Sequence, residues 1–217
     1  MEILLSNSGT FYLKKIVEKY NVFGDIEIKI EKNINISLVD DLFLDGVVIN
    51  FLLKNNSSLF YSMKFRNKYD EISKSLKFSF IGQGSSAQIN CIYEGEENSV
   101  LRLNTVQHHF AMNSVSDLCV KSVLHGSSKL FCKNLIRIEK NAQRVRAKEE
   151  NKNLLLGELA RVVSIPKLEV EAEDVSCQHG AAISNISDED IFYLQSRGMN
   201  LNEAKQLFIT GFLNEVI

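Results

Sequence analysis

Short stretches in which apolar and polar residues alternate follow one another along most of this 217-residue chain. The clearest is Ile26-Glu27-Ile28-Lys29-Ile30, and the last spans residues 161–170. Because successive side chains of a β-strand point to opposite faces, such alternation is typical of strands with one buried face. The sequence therefore predicts a mainly β fold. The predicted strands are residues 26–30, 46–53, 58–65, 76–81, 87–93, 100–106, 116–124, 129–138, 143–147, 154–156 and 161–170, and a short helix is predicted ahead of them at residues 11–20.

Two architectures are compatible with this pattern: a β-sandwich or barrel, and a right-handed parallel β-helix of stacked coils. Tight hairpins are weakly indicated, since Asp45-Gly46 is the one Asp-Gly or Asn-Gly pair in the strand region. A repeat of fixed period, which would favour the solenoid, is not visible. Alternation therefore leaves both architectures open. Pro166 cannot donate a ladder hydrogen bond, so we expect its strand to be an edge, an end coil or a bulge.

The pattern changes from strand to helix near the C-terminus. Ser187 followed by Asp190 resembles a capping box that opens a helix, and Arg197-Gly198 resembles the end of that helix. Asn200 then caps a second helix. The sequence therefore predicts two short helices after the last strand.

The second of these helices has more apolar residues than one side of a surface helix requires. We expect part of this surface to pack on the β-domain and the rest to bind another protein, since two helices have little core of their own. The chain is accordingly divided into a β core at residues 1–178 and a helical partner-docking domain at residues 179–217. The main apolar face comprises Leu201, Ala204, Leu207, Phe208, Gly211 and Phe212, and Ile209, Leu213 and Val216 widen it.

Cys177 and His179 lie two residues apart, where the strand pattern gives way to the helices. On an extended segment these two side chains share a face, and thiolate and imidazole groups bind metals. Both residues are therefore candidates for handling a metal or sulfur. Two ligands are too few for a closed metal site, so further ligands would have to come from distant residues or another chain. We expect no metal site and no stably bound cofactor in the isolated chain.

The other cysteines and histidines carry weaker signals. His108 and His109 are adjacent on a predicted strand and should point to opposite faces, so they do not chelate one metal together. The chain contains no Cys-x-x-Cys. Three cysteines lie in alternating apolar runs and are expected to be small buried side chains, namely Cys91, Cys119 and Cys132.

Composition and motifs argue against several functions. The 25 Lys and Arg residues against 27 Asp and Glu give a net charge of −2, which does not favour a nucleic-acid partner. The N-terminus has no basic leader and no apolar run is long enough to cross a bilayer, so we expect a cytoplasmic protein and no membrane partner. No Walker motif is present. A β-helix carbohydrate-active enzyme or sugar-binding module is an alternative, but the acids cluster in turns and the chain has no tryptophan.

From about Phe78 to the C-terminus, several motifs in order resemble the SufB/SufD family, the scaffold subunits of the SUF iron–sulfur cluster assembly machinery. The form Cys177-Gln178-His179-Gly180-Ala181 resembles the SufD branch more than SufB, which typically has Glu-His-Glu-Ala there. The segments that carry the resemblance are Asn151-Lys152-Asn153-Leu154-Leu155-Leu156, Ile165-Pro166-Lys167-Leu168-Glu169-Val170, Glu173-Asp174-Val175-Ser176-Cys177-Gln178-His179-Gly180-Ala181, Ile191-Phe192-Tyr193-Leu194-Gln195-Ser196-Arg197-Gly198 and Glu203-Ala204.

This resemblance implies a right-handed parallel β-helix with a C-terminal helical domain, and a scaffold rather than an enzyme. It implies pairing with SufB, or with a second copy of the chain, through the β-helix, and docking of the ATPase SufC on the C-terminal helices. His179, accompanied by Cys177, would lie near the interface with SufB, where a nascent iron–sulfur cluster is handled. The expected partner-binding residues are Ile191, Leu194, Arg197, Met199, Glu203, Ala204, Leu207, Phe208 and Phe212.

The chain also departs from the family pattern. Typical members are about twice as long, and residues 1–75 contain no motif that matches. Glu149 stands where the family usually has Gln, and His125 stands where it usually has a turn Asp. The resemblance therefore covers the strands and helices after residue 75 and leaves the first part of the chain unexplained.

Overall fold

The computed structural model describes residues 1–20, 24–41 and 44–214, and its β-strands form two seven-stranded sheets. Odd-numbered strands lie in one sheet and even-numbered strands in the other. Neighbouring strands within each sheet are parallel. A parallel β-helix winds in this way, whereas a β-sandwich is built from antiparallel strands. The predicted parallel β-helix is therefore confirmed, and the alternative β-sandwich is wrong.

Each coil adds one strand to each sheet. In spatial order, the first sheet contains β1 (Glu2–Leu5), β3 (Ile26–Ile30), β5 (Val48–Leu53), β7 (Glu71–Phe80), β9 (Val100–His109), β11 (Lys129–Ile138) and β13 (Arg161–Val170). The second sheet contains β2 (Gly9–Tyr12), β4 (Asn35–Asp40), β6 (Ser58–Asn67), β8 (Ser86–Gly95), β10 (Val115–Leu124), β12 (Val145–Leu155) and β14 (Val175–Ser184). The helices are α1 (Leu13–Tyr20), α2 (Asp188–Ser196) and α3 (Leu201–Asn214).

Apolar side chains at alternate strand positions fill the space between the two sheets. Ile28, Phe51 and Phe78 occupy register-paired positions of β3, β5 and β7 and are completely buried. The rings of Phe51 and Phe78 stack with their centroids 4.9 Å apart. Burying a side chain of this size contributes about 1.5–3 kcal/mol. The same position repeated from coil to coil therefore supplies a continuous core.

The length of chain in one coil increases along the molecule. The side chains of Glu27 and Asn50, 23 residues apart, are hydrogen-bonded in one pair of coils, and those of Ser122 and Asn153, 31 residues apart, in a later pair. Strand length increases as well, from four residues in β1 to ten or eleven from β6 onward. This drift explains why the sequence shows no repeat of fixed period.

Near the end of the β-helix, one strand prediction is corrected and another is confirmed. The predicted strands 143–147 and 154–156 are one strand, β12. The polar residues between them interrupt the apolar alternation, but Glu149 and Asn151 are buried in the interior, where they bond to Asn134 and Ser164. Pro166 lies in β13, the last strand of the first sheet, so its prediction as an edge or end-coil residue is confirmed.

The helix predicted at residues 11–20 is present as α1, but it begins at Leu13. Phe11 belongs to β2, where it pairs with Leu38 of β4. Leu13 and Ile16 are buried in the core. The apolar spacing of this segment thus predicted the helix correctly except for its first two residues.

The change from strand to helix lies further along the chain than predicted. β14 continues to Ser184, so the boundary placed between residues 178 and 179 falls inside this strand. Cys177 therefore lies inside the last strand, and the prediction that the strand pattern gives way to the helices at Cys177 and His179 is wrong. Gly180, Ala181 and Ala182 have low β-propensity, which made this strand difficult to recognise in the sequence.

The ends of the two C-terminal helices agree with the predicted capping residues. The Ser187 hydroxyl accepts a hydrogen bond from the Asp190 backbone N–H at 3.1 Å. Asn200 Oδ1 accepts from the Glu203 backbone N–H at 3.0 Å, and Glu203 Oε2 accepts from the Asn200 N–H at 2.9 Å. Gly198, with φ of 95°, follows the last turn of α2. Across the ranges described above, no helix is both long and apolar enough to span a membrane.

Candidate functional site

Cys177 and His179 lie on the side of β14 that turns toward the interior of the β-helix. Their register partners in β12 are Ala147 and Glu149, which are almost completely buried. Neighbouring strands in register place equivalent side chains on the same side of the sheet. Cys177 and His179 therefore extend this interior row by one coil, and the structure brings both predicted residues onto one face.

β14 is the last strand of its sheet, so this row becomes accessible at its final coil. His179 is exposed, and Cys177 is half-buried against a small cluster that contains Ala147. Burial raises the pKa of the Cys177 thiol. Within the described residues, no group of three or more His, Cys, Asp or Glu side chains could hold a metal ion. The row offers one thiol and one imidazole, and a metal site here would need further ligands from elsewhere.

A chain of buried polar side chains lies directly beneath His179, and sequence reasoning did not identify it as part of the site. Thr105 donates to Asn134 Oδ1 at 2.8 Å, and Asn134 Nδ2 donates to Glu149 Oε1 at 2.6 Å. Cys132 also contacts Asn134 Oδ1, at 3.2 Å. Burial raises the pKa of Glu149, although Asn134 and His179 oppose that shift. The one feature of the sequence that could have pointed to this polar chain is Glu149, which stands where the family usually has Gln.

The other cysteines are placed mostly as predicted. Cys91 and Cys132 are buried in the core. Burial raises the pKa of Cys132 to about 12 and also raises that of Cys91. Cys119 differs because it is only half-buried. A thiol with a raised pKa is a poor nucleophile and metal ligand near neutral pH, so Cys91 and Cys132 are structural residues.

His108 and His109 point to opposite faces, as predicted. His109 is completely buried between the hydroxyls of Ser114 and Ser116, at 2.7 and 2.9 Å from its ring nitrogens. Burial lowers the pKa of His109 to about 3. His108 lies toward the surface and contacts Glu139 Oε1 at 2.7 Å. Neither histidine lies in the row that contains His179.

The C-terminal helices are anchored to the side of the β-helix by α3. Ile209 and Leu213 are buried against a cluster that includes Val123 and Leu154. The ammonium group of Lys121 donates to the carbonyl oxygen of Phe212 in the last turn of α3. A cation at this position is favoured by the helix dipole. Ile209 and Leu213, which were predicted only to widen the apolar face of α3, thus make most of its contact with the β-domain. Val216, the third residue of that prediction, lies outside the described residues.

The predicted partner-binding residues differ in how accessible they are. Ala204 is completely buried within the chain, so it cannot be a direct contact while the helices keep this packing. The carboxylate of Glu203 is engaged in capping α3. Arg197 and Leu207 are exposed, and the remaining ones are partly buried, namely Ile191, Leu194, Met199, Phe208 and Phe212.

An exposed apolar surface remains on α2 and α3. Phe192 and Tyr193 of α2 are 73% and 58% exposed, and Leu207 of α3 is 49% exposed. A cavity of about 560 Å³ opens between the two helices and the ends of β12 and β14. Large apolar side chains around an open cavity are typical of a protein interaction site.

These features define a class of protein: a parallel β-helix whose last coil is open, with a pair of helices attached to its side. The family described as SUF system FeS cluster assembly, SufBD core domain, matches residues 46–212, so the match begins earlier than the start after residue 75 that the motifs indicated. The chain therefore belongs to the SufB/SufD family of iron–sulfur cluster assembly proteins, and its relatives make it SufD-like. Membership of this family favours a role in iron–sulfur cluster assembly over the alternative of a carbohydrate-active enzyme or sugar-binding module.

Two relatives illustrate the similarity. The iron-sulfur cluster assembly protein SufD of Escherichia coli is 35% identical over 135 residues, which cover 62% of this chain and 32% of the relative. SufD of Bacillus subtilis is 26% identical over 162 residues, which cover 75% of this chain and 37% of the relative. The chain thus spans about a third of the length of these curated relatives.

Proposed function

We propose that this chain is a non-catalytic, SufD-like scaffold subunit that pairs with SufB in the cytoplasm and binds the ATPase SufC. The observation that carries the proposal is the open last coil, which presents Cys177 and His179 beside the outer edges of β13 and β14. In this role a nascent iron–sulfur cluster is cargo that is handled between subunits. Membership of the SufB/SufD family supports the assignment.

The outer edges of the last coil support pairing with another β-helix. Among the described strands, β13 and β14 each have a neighbour on one side only. Their outer N–H and C=O groups are therefore available to a strand of another chain. SufB, or a second copy of this chain, would supply such a strand. The large apolar side chains exposed on these two strands are Val163, Ile165, Leu168, Val170 and Ile183.

In the paired complex, His179 is the better candidate for contact with the cargo. It is exposed at the open end, whereas Cys177 is half-buried and its thiol has a raised pKa. A neutral imidazole is a common ligand of iron. His179 would thus form half of a site that SufB completes.

The exposed surface on α2 and α3 supports docking of SufC. The buried contacts of Ile209 and Leu213 fix α3 to the β-helix, so its opposite side is held outward. Leu207 and Tyr193 both border the cavity between the helices. An apolar side chain of a partner that entered this cavity would be removed from water, which is how binding hot spots gain affinity.

The pairing and the site can be tested together by co-expressing the chain with SufB and SufC from the same source. We expect a heterodimer with SufB in native mass spectrometry, and loss of cluster formation by the whole complex in His179→Ala. Gln178→Ala, which alters the neighbouring residue on the opposite face of β14, is the control. A complex that forms only homodimers contradicts the pairing, and unchanged cluster formation in His179→Ala contradicts the site.

The docking surface can be tested separately with Leu207→Asp. We expect this variant to remain folded, because Leu207 is exposed, and to lose co-purification with SufC. Leu159→Asp introduces the same charge at a residue that is 64% exposed, lies in a turn between β12 and β13, and does not line the cavity between the helices. Equal retention of SufC by the two variants would exclude the proposed surface.

A further inference from the structure

The orientation of the Asn134 side chain is fixed by its neighbours. Its Oδ1 accepts hydrogen bonds from the Thr105 hydroxyl at 2.8 Å and from the Cys132 thiol at 3.2 Å. Its Nδ2 must therefore donate, and it does so to Glu149 Oε1 at 2.6 Å. Thr105, Asn134 and Glu149 are each at most 2% exposed. One oxygen of the Glu149 carboxylate is thus committed as an acceptor within the interior.

The other oxygen of Glu149 has no such partner. Oε2 is buried and makes no hydrogen bond to any described residue. Leaving a buried acceptor unpaired is unfavourable, so a donor is expected to approach it. The next coil places His179 in register with Glu149 on the same interior row, at the usual strand separation of about 4.8 Å. His179 is the register neighbour of Glu149 in this coil, and its imidazole can donate from either ring nitrogen.

We infer that Glu149 is a positioning residue for His179, holding its imidazole by accepting a hydrogen bond from one ring N–H at Oε2. The hydrogen bond fixes which ring nitrogen carries the proton. The other nitrogen then keeps its lone pair and is directed toward the open end of the last coil. Carboxylates that orient metal-binding histidines act in this way in many proteins. This inference rests on the proposed function of His179 as a ligand.

Glu149→Gln is the sharpest perturbation. Because Asn134 Nδ2 requires an acceptor, the Gln side chain must turn its oxygen toward Asn134 and its NH₂ group toward His179. A donor then faces the imidazole, which has to accept, so the proton moves to the outward nitrogen. The volume of the side chain is preserved. Since the family usually has Gln at this position, we expect the variant to fold.

Nitrogen-15 NMR of the histidine rings at pH 8.5 reports the tautomer directly. In the wild-type protein we expect His179 to populate one tautomer over the other by about tenfold, as one charge-assisted hydrogen bond allows. In Glu149→Gln the ratio should reverse or fall to near unity. Glu150→Gln is the matched control, because Glu150 points outward and pairs with Lys148 and Lys152. The buried His109 serves as an internal reference whose signals should not change.

The reciprocal measurement uses a substitution at the exposed residue. His179→Gln should shift the carboxyl carbon-13 resonance of Glu149 and leave that of Glu150 in place, so it provides a test even if Glu149→Gln is unstable. The inference is overturned if the His179 tautomer ratio is the same in Glu149→Gln and wild type, or if the Glu149 resonance does not respond to His179→Gln. Neither measurement depends on cluster assembly. A failure of the proposed function would appear instead as normal cluster formation by His179→Ala.

Discussion

Lys74 is a test of how the interior of the β-helix accommodates charge. Its ammonium group donates to Asp40 Oδ2, which also accepts from the Tyr61 hydroxyl. Lys74 is 1% exposed and Asp40 is 4% exposed, so water does not readily replace either partner. Lys74→Met keeps most of the side-chain volume but leaves the Asp40 carboxylate without its counter-charge. We expect this loss to destabilise the folded state.

Removing one member of a buried ion pair lowers the free energy of unfolding by about 3–5 kcal/mol. In a protein of this size each kcal/mol lowers Tm by about 2–4 °C, so Tm should fall by roughly 10 °C. Replacing both charges, with Asp40→Leu and Lys74→Met together, removes the uncompensated carboxylate. The double variant should therefore be more stable than Lys74→Met alone. Urea unfolding at pH 7, followed by circular dichroism, measures both differences.

Lys64→Met is the matched control, because Lys64 lies in β6 but is exposed. Its effect should stay within about 0.5 kcal/mol. Two results would refute the reasoning. One is a Lys74→Met protein as stable as Lys64→Met, and the other is a double variant less stable than Lys74→Met.

Three further predictions concern a histidine, a glycine and a cysteine. Burial lowers the pKa of His109 from 6.5 to about 3, so the folded state binds fewer protons than the unfolded state below pH 7. The free energy of unfolding should therefore fall by about 2 kcal/mol between pH 7 and pH 5. Urea unfolding curves of His109→Gln should not show this loss. Gly157→Ala would place its Cβ 2.1 Å from the Gly126 carbonyl oxygen and should lower Tm in calorimetry, whereas Gly211→Ala, with open space around it, should not. The pKa of Cys132 is raised to about 12, so iodoacetamide at pH 8 should not alkylate it in the folded protein. Peptide mapping should find the alkylated Cys132 only after the protein is unfolded.

Most strands could be predicted from the sequence because one face of each is apolar and packs into the core. The choice between a sandwich and a β-helix could not be made from alternation, which reports that a face is buried but not which strand lies beside it. The lengthening of the coils also concealed the repeat. Pro166 was informative because its missing N–H restricts where a strand can lie, and the structure places it at an edge.

The site was predictable only in part. Cys177 and His179 were predicted to share a face, and the register of β14 with β12 places them on one. Their surroundings depend on contacts between residues about thirty positions apart, which a local pattern does not reveal. Glu149 illustrates this: in the sequence it is one charge among several in residues 148–153, and in the fold it lies buried beneath His179.

The increase in strand length along the molecule has a consequence for how it opens locally. Each coil of a solenoid contacts only its neighbours, so local stability follows the size of the interface between adjacent coils. β1 to β4, with four to six residues each, share small interfaces, whereas β7 to β12 share interfaces of ten residues. Amide hydrogen exchange should therefore be fastest in β1 to β4 and slowest in β7 to β12. Fraying would begin at the narrow end, and the wide coils that carry His179 at the other end would stay folded while it occurs.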